Sequence, residues 1–533
     1  MSRNMNLRRN WPVALLAAVV LAGLLIGLGP TRIIAYISNP GTTGTQASSR
    51  TSYTIQNPID LFDDTQMHSI EMLINEQDYD LMLETYRQTG EKDYFRTDVV
   101  IDGVIVRDVG VRLKGNSLLR SALGVRWGGF RPGEDRAAEA WQRPADGQAP
   151  AFPEGADGQP PGNRQTQPER GFAEGENARF LPQAGAGDGE VARQGRIGTL
   201  AAVTGSTKIP LLIKFDKYID GQTYQGLQAI AIRTYGASYD EAMLAEPVTN
   251  AVARQAGLPA ARTCYTSFTV DGKPPALYVV SEVIDSAYLQ ANAAHPGGVL
   301  FKAEVGSTME YTDDNPSSYT GDFSQETRKN DADMSHLIEF LRFIGQADDA
   351  RFASELPSWL DVDTFALYLA VNNLLVNRDS IAGMNNNYYL YLDETDQRFI
   401  IFLWDTNESL GQLVGGGSAE YDLYYARTDT ELGRGGFGGG MFGGENRLVA
   451  RFLANPEYRA LYESKLIAVY RVAFLDKALE TSVAQVSSVI EALPDDSELV
   501  DIGVYNQAVQ AVRTFIAQRQ AYLASAELLA EVE

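Results

Sequence analysis

Three Asp-Gly pairs, Asp102-Gly103, Asp220-Gly221 and Asp271-Gly272, each interrupt a run of alternating apolar residues within the first 285 positions. A two-residue turn of this kind takes up left-handed backbone readily and matches the twist of paired strands, so the pattern demands antiparallel sheet. It predicts three strand pairs in "YFRTDVVIDGVIVRDVGVRLKGNS", "KIPLLIKFDKYIDGQTYQGLQAIAIRT" and "RTCYTSFTVDGKPPALYVVSEVID". A strand over Ser69 to Ile74 and an amphipathic helix over Gln77 to Arg87 precede them. "YDEAMLAEPVTNAVARQAG" reads as a helix ended by Gly257. Further on, the apolar period shifts to three and four. Helices are expected over Ser335 to Gly345, Ser354 to Ser358 and Val362 to Val376, followed by a helical tail from Leu448. Strands first and helices afterwards make an α+β chain of two lobes, a sheet-rich N-lobe over 53–285 and a helical C-lobe over 286–533.

Three stretches do not fit either lobe. Residues 126–205 are rich in Gly, Pro, Ala, Gln and charge, a composition that buries too little apolar surface to offset chain entropy, and a disordered insertion is expected there. A Gly-rich loop over 414–444 is expected to be mobile, and 31–52 reads as a flexible linker. At the start, the apolar run from Trp11 to Gly29 follows Arg3, Arg8 and Arg9. Its length and flanking charge predict a transmembrane signal anchor over 1–30, with a cytoplasmic N-terminus and the remaining chain extracytoplasmic. Secretion after cleavage of a signal peptide is the alternative.

Composition narrows the chemistry. The 533 residues are 44% hydrophobic and 21% charged, as in globular proteins, and the net charge of -24 argues against nucleic acid as a partner. A single cysteine, Cys264, excludes an intramolecular disulfide and a Cys-rich zinc site. His68, His295 and His336 are scattered without metal-ligand spacing, and no GxSxG elbow is present.

The stretch "NRDSIAGMNNNYYLY" breaks an apolar run with more small polar groups than a turn requires. It offers a possible base, Asp379, and metal-capable amides at Asn385, Asn386 and Asn387; Asp405 follows after the strand "RFIIFLW". Upstream, Lys114, Gly115, Asn116 and Ser117 close a strand with an amine, a glycine and small polar groups suited to phosphate oxygens. Lys214 lies within the apolar strand "LLIKFDK", with Glu246 or Glu241 as its expected charge partner. A polar loop beside a structural hairpin, with Lys214 on an exposed edge, is the plainer reading. In this order along the chain, however, the groups are those phosphoryl transfer uses: lysine on phosphates, Asp and Asn on a divalent metal, an aspartate beside the acceptor.

These motifs, with "LFDDTQMHSIEMLI", "GLQAIAIRT", "GGVLFKAE" and "FIIFLWDTNESLG", resemble the spore-coat CotH kinase family, secretory protein kinases of atypical protein-kinase-like fold. The resemblance covers most of residues 60–525. It implies Asp379 as catalytic aspartate, Asp405 as metal-binding aspartate, Lys214 as the strand lysine on the nucleotide, and "KGNS" as the loop over the phosphates. Asn387 is the preferred second metal ligand, with Asn385 and Asn386 as rivals. It further implies ATP with Mg²⁺ or Mn²⁺, and transfer to Ser or Thr of surface or secreted proteins. The chain departs from ordinary kinases in having Met384 where their metal-binding Asn stands, in lacking GxGxxG in the sheet-rich N-lobe, and in lacking DFG and APE. A non-catalytic envelope or surface assembly protein, and a nucleotidyltransferase, are the competing readings.

Overall fold

The structure, a computed structural model, describes residues 53–115, 119, 123, 208–234, 242–412, 418–426, 444–494 and 497–532. The expected anchor, linker and insertion, together with Asn116, Ser117 and most of the Gly-rich loop, lie outside the described residues. Among the described residues no helix is long and apolar enough to cross a membrane. The single-pass membrane topology expected from the sequence, with its membrane partner, is therefore not supported.

The strands are β1 (Tyr53–Ile55), β2 (His68–Met72), β3 (Phe95–Ile101), β4 (Val104–Leu113), β5 (Leu211–Lys214), β6 (Gln222–Tyr224), β7 (Ala229–Thr234), β8 (Thr263–Val270), β9 (Ala276–Glu282), β10 (Val299–Ala303), β11 (Phe323–Gln325), β12 (Tyr388–Asp393) and β13 (Arg398–Leu403). The helices used below are α1 (Glu76–Thr89), α2 (Ala245–Gln255), α3 (Ser286–Asn292), α4 (Ser335–Gln346), α5 (Asp349–Trp359), α6 (Val362–Leu374), α7 (Arg447–Ala454), α8 (Pro456–Tyr470), α9 (Ala478–Glu491) and α10 (Ile502–Ser525).

The sheet of the expected N-lobe is closed on itself. Seven strands close into a barrel in the order β2-β3-β4-β5-β7-β9-β8. Closure comes from a parallel pairing of β2 with β8, running from His68 opposite Thr266 to Met72 opposite Val270. It satisfies backbone groups that an open sheet would leave at its two edges. Two of the Asp-Gly turns behave as the pattern predicts, with Asp102, Gly103, Asp271 and Gly272 all at positive φ. The third does not join a simple hairpin: β5 pairs directly with β7, and β6 leaves the barrel to pair in parallel with β1.

Period-two alternation sorts the barrel residues. Ile213, Ile230, Ile232 and Val280 fill its interior, whereas Tyr265, Leu277 and Val279 face outward into the helical core. The helical region carries strands as well, more than the one hairpin expected. A four-stranded sheet, β11-β10-β12-β13, lies within it and presents Tyr389, Phe402 and Trp404 in a separate apolar cluster with Tyr288 and Leu289 of α3. Helix starts follow local chemistry: Asn75, Asp348, Asp361, Asn446, Asn455 and Asp501 each cap the following helix through their side chains.

One buried pair pins the barrel end. His68, only 1% exposed, places Nδ1 2.8 Å from Asp102 Oδ2 and Nε2 2.9 Å from the Asp63 carbonyl. Both partners are acceptors, so the ring satisfies both by carrying two protons. Burial disfavours this charge, but the bonds to Asp102 and Asp63 outweigh it and raise the pKa above 6.5. A raised folded pKa gives stability that is complete below the unfolded value and lost as pH rises through the folded one. The melting temperature of wild type should therefore exceed that of His68→Phe by an amount that shrinks as pH is raised above about 6.5. A pH-independent difference would show a neutral ring.

Candidate active site

Helix α6 is buried over most of its circumference and ends at Leu374, immediately before the polar loop. Val376 then adopts φ 54°, an unusual conformation for a β-branched residue, and the Asn377 amide bonds back to the Asn372 carbonyl at 2.7 Å. This turn places Arg378 and Asp379. The chain folds back tightly: a Cβ on Gly383 would lie 1.8 Å from the Arg378 carbonyl oxygen, so glycine is required there. The Met384 amide bonds that same carbonyl at 3.0 Å.

The reversal delivers two asparagines to one carboxylate. Asn386 Nδ2 donates to Asp379 Oδ1 at 3.0 Å, and Asn387 Nδ2 to Oδ2 at 2.7 Å. Met384 is passed over because it lies in the turn. Asn385 points elsewhere, donating to the Gly444 carbonyl at 2.8 Å and accepting from Asn446 Nδ2 at 3.0 Å. It ties the loop to the start of α7 and is engaged away from the carboxylates.

Asp405 follows β13 at φ 51°, and Asn387 Nδ2 also reaches its backbone carbonyl at 3.3 Å. One Asp405 carboxylate oxygen pairs with the Arg233 guanidinium. Through Nε, Arg233 also binds Glu246 Oε2 at 2.9 Å, and Ser281 Oγ donates to Glu246 Oε1 at 2.9 Å. Lys114 lies over the Trp404 ring, 4.7 Å from its centroid. Burial pushes the Lys114 ammonium down to about 7, assisted by the Arg233 charge and opposed by Asp405.

The two aspartates are driven apart. Burial pushes Asp379 up to about 7; the Asp405 charge adds to this, and the asparagine amides oppose it. Burial acts in the same sense on Asp405, but Arg233 and Lys114 outweigh it and keep that carboxyl below the usual range. One carboxylate is thus poised to exchange a proton near neutrality, while its neighbour stays ionised. Burial holds Glu246 above its ordinary value against the pull of Arg233.

Lys214 does not form the expected pair with Glu246. Its Nζ lies 3.3 Å from Asp216 Oδ1. Strand register gives the reason. Leu113 faces Leu211, and Leu211 faces Ile232, so Lys114, Pro210 and Arg233 share the next rung on the outer barrel face. The Lys114 amide bonds the Pro210 carbonyl at 2.9 Å. Lys214 is on the same face but opposite Ala229, about 13 Å along the strand from that rung. The sequence reading overlooked Arg233. The signal available was a lone cation in "AIAIRT", an otherwise apolar strand. Gly115, at φ 87°, follows Lys114 directly, and its carbonyl accepts from Lys92 Nζ at 2.7 Å.

A family model described as CotH kinase protein matches residues 202–523, more than half of the chain. The chain belongs to the CotH kinase protein family. This membership is consistent with a kinase-like enzymatic role, and the matched span includes Arg233, Glu246, Asp379, Asn387 and Asp405. Strand β1 and the barrel strands β2 to β4, with Lys114, precede the CotH match. A solved structure titled as a Helicobacter pylori proinflammatory kinase CtkA is similar at 10% identity, over 55% of this chain and 87% of that one, with a TM-score of 0.24. A likeness at that level carries nothing about the CotH site. No match is found among curated proteins.

The coupling of the two aspartates is measurable. Asp405→Asn removes a charge that raises Asp379, so the Asp379 carboxyl, followed by ¹³C NMR, should titrate at lower pH than in wild type. An unchanged midpoint would show that the two carboxylates do not sense each other.

Proposed function

We propose that this chain is an ATP-dependent phosphotransferase that acts on a hydroxyl of a protein Ser or Thr. The observation that carries the reading is the meeting of Asp379 and Asp405 at Asn387, whose amide reaches the Asp379 carboxylate and the Asp405 carbonyl, with Arg233 on the Asp405 carboxylate; burial raising Asp379 while Arg233 and Lys114 lower Asp405 agrees with it. Asp379 accepts the proton of the attacking hydroxyl, and Asn386 and Asn387 fix the orientation of its two oxygens. Arg233 and Lys114 bind phosphate oxygens, and Glu246 holds the Arg233 guanidinium in place. Gly115, with Asn116 and Ser117 beyond it, is assigned to the loop over the phosphates.

The donor set at the site, carboxylate and amide oxygens beside two cations, fits a hard divalent ion. Asp405, with an amide oxygen of Asn387 or Asn386, would hold Mg²⁺ or Mn²⁺, which would supply charge neutralisation at the phosphates. Family membership supports ATP as the donor and a protein as the acceptor. One observation favours a non-catalytic reading: Arg233 engages an oxygen of the carboxylate assigned to the metal.

Incubation with γ- or α-labelled ATP and Mg²⁺, with a Ser/Thr peptide library as acceptor, separates the readings. Label is expected from the γ position alone. Asp379→Asn should keep nucleotide affinity and lose about 10²–10⁴-fold in transfer rate. Asp405→Ala should lose Mg²⁺-dependent nucleotide binding. Label from the α position would indicate nucleotidyl transfer. No transfer from either position, with equal affinity in wild type and Asp405→Ala, would leave the non-catalytic protein.

A further inference from the structure

Helix α10 buries one stripe, Tyr505, Val509, Val512, Ile516, Arg519 and Leu523, at three-and-four spacing. An arginine within an apolar stripe is costly unless its donors are used. Arg519 is 1% exposed, and its bonds go to carbonyl oxygens of two separate segments. Toward the end of α6, Nε donates to the Leu374 carbonyl at 3.2 Å and Nη2 to the Asn373 carbonyl at 3.1 Å. Toward the segment 418–426, Nη1 donates to the Ala419 carbonyl at 2.9 Å and the Tyr421 carbonyl at 2.5 Å.

Both segments lead to Asp379. The last carbonyls of a helix have no partner within it and carry the negative end of its dipole, so a guanidinium there both satisfies and holds them. The Val376 turn at positive φ follows at once, and Asp379 comes directly after it. Backbone in that conformation is retained only where its surroundings fix it. From the other side, the rings of Tyr421 and Tyr425 lie against the Arg378 guanidinium, with centroids at 5.6 and 5.4 Å. Asn373 Nδ2 joins the segments again by donating to the Asp422 carbonyl at 2.8 Å.

We propose that Arg519 is a positioning residue for Asp379, locking the end of α6 and the 418–426 segment into one unit that aims the carboxylate. This role rests on the phosphotransferase reading above. Arg519 touches no reacting group; it acts through the backbone on either side of Asp379. A lysine keeps the charge but lacks the fork that spans two segments.

The test compares wild type, Arg519→Lys and Arg519→Met in γ-labelled transfer, Mg²⁺-dependent nucleotide binding and amide hydrogen exchange. In both variants kcat should fall roughly 10²-fold, as expected for a small misplacement of a reacting group, with nucleotide affinity unchanged. Amides of 376–379 and of 419–425 should exchange faster together, while those of α10 do not. Should Arg519→Met fail to fold, the lysine variant carries the same expectation. Unchanged kcat in the lysine variant, or loosening confined to α10, would overturn the proposal. So would equal losses of kcat and affinity with faster exchange throughout, which mark a merely structural residue. If wild type transfers no phosphate, the phosphotransferase reading and the positioning role both fail. Exchange in the two segments still reports separately whether Arg519 joins them.

Discussion

Arg233 joins three parts of the protein at one point. It stands on barrel strand β7, binds Glu246 in the first turn of α2, and reaches Asp405 beyond the end of β13. Burying such charges costs several kcal/mol each by desolvation, and their mutual attraction roughly offsets it. The set is therefore a poor source of net stability. Removing one member is another matter, since an uncompensated buried charge costs about 3–5 kcal/mol. That asymmetry fixes geometry: the barrel, α2 and the sheet are held in the one arrangement that keeps all three charges satisfied. Ser281, donating to the other Glu246 oxygen, removes a remaining freedom.

Asp379 depends on this arrangement indirectly. The carboxylate of Asp405 stays ionised because Arg233 and Lys114 face it, and that charge helps lift Asp379 toward neutrality. Asn387 links the two sites in space, with its amide reaching both the Asp379 carboxylate and the Asp405 backbone. Asn387 and Asp405 both hold positive φ, and the tight turn at Gly383 brings the asparagines within reach. Unusual backbone at these positions is what lets one short loop and one strand end converge on the same small volume.

Much of this was legible in the sequence, and the failures share a cause. The Asp-Gly turns at 102–103 and 271–272 and the helix expected over Gln77 to Arg87 depend on neighbours along the chain, which the sequence displays. Barrel closure depends on β2 meeting β8 almost two hundred positions away, and no local period records that. Lys214 shares the outer face with Arg233 but stands several residues along the strand, and alternation tells which face a residue takes but not how far along a strand a site lies. Arg233 sat in plain view and went unassigned, since a lysine on the neighbouring barrel strand resembled the expected residue. Asn385 differs from Asn386 and Asn387 only in the direction its side chain takes, toward Gly444 and Asn446.

The central proposal is that Arg233, together with Lys114, binds the phosphates and that Lys214, paired with Asp216, lies outside the site. Calorimetric titration of Mg²⁺-ATP into wild type, Arg233→Met and Lys214→Met, each checked for a native melting transition, tests it directly. The account predicts a large loss of affinity in Arg233→Met and affinity close to wild type in Lys214→Met. Full affinity in Arg233→Met together with loss in Lys214→Met would contradict it.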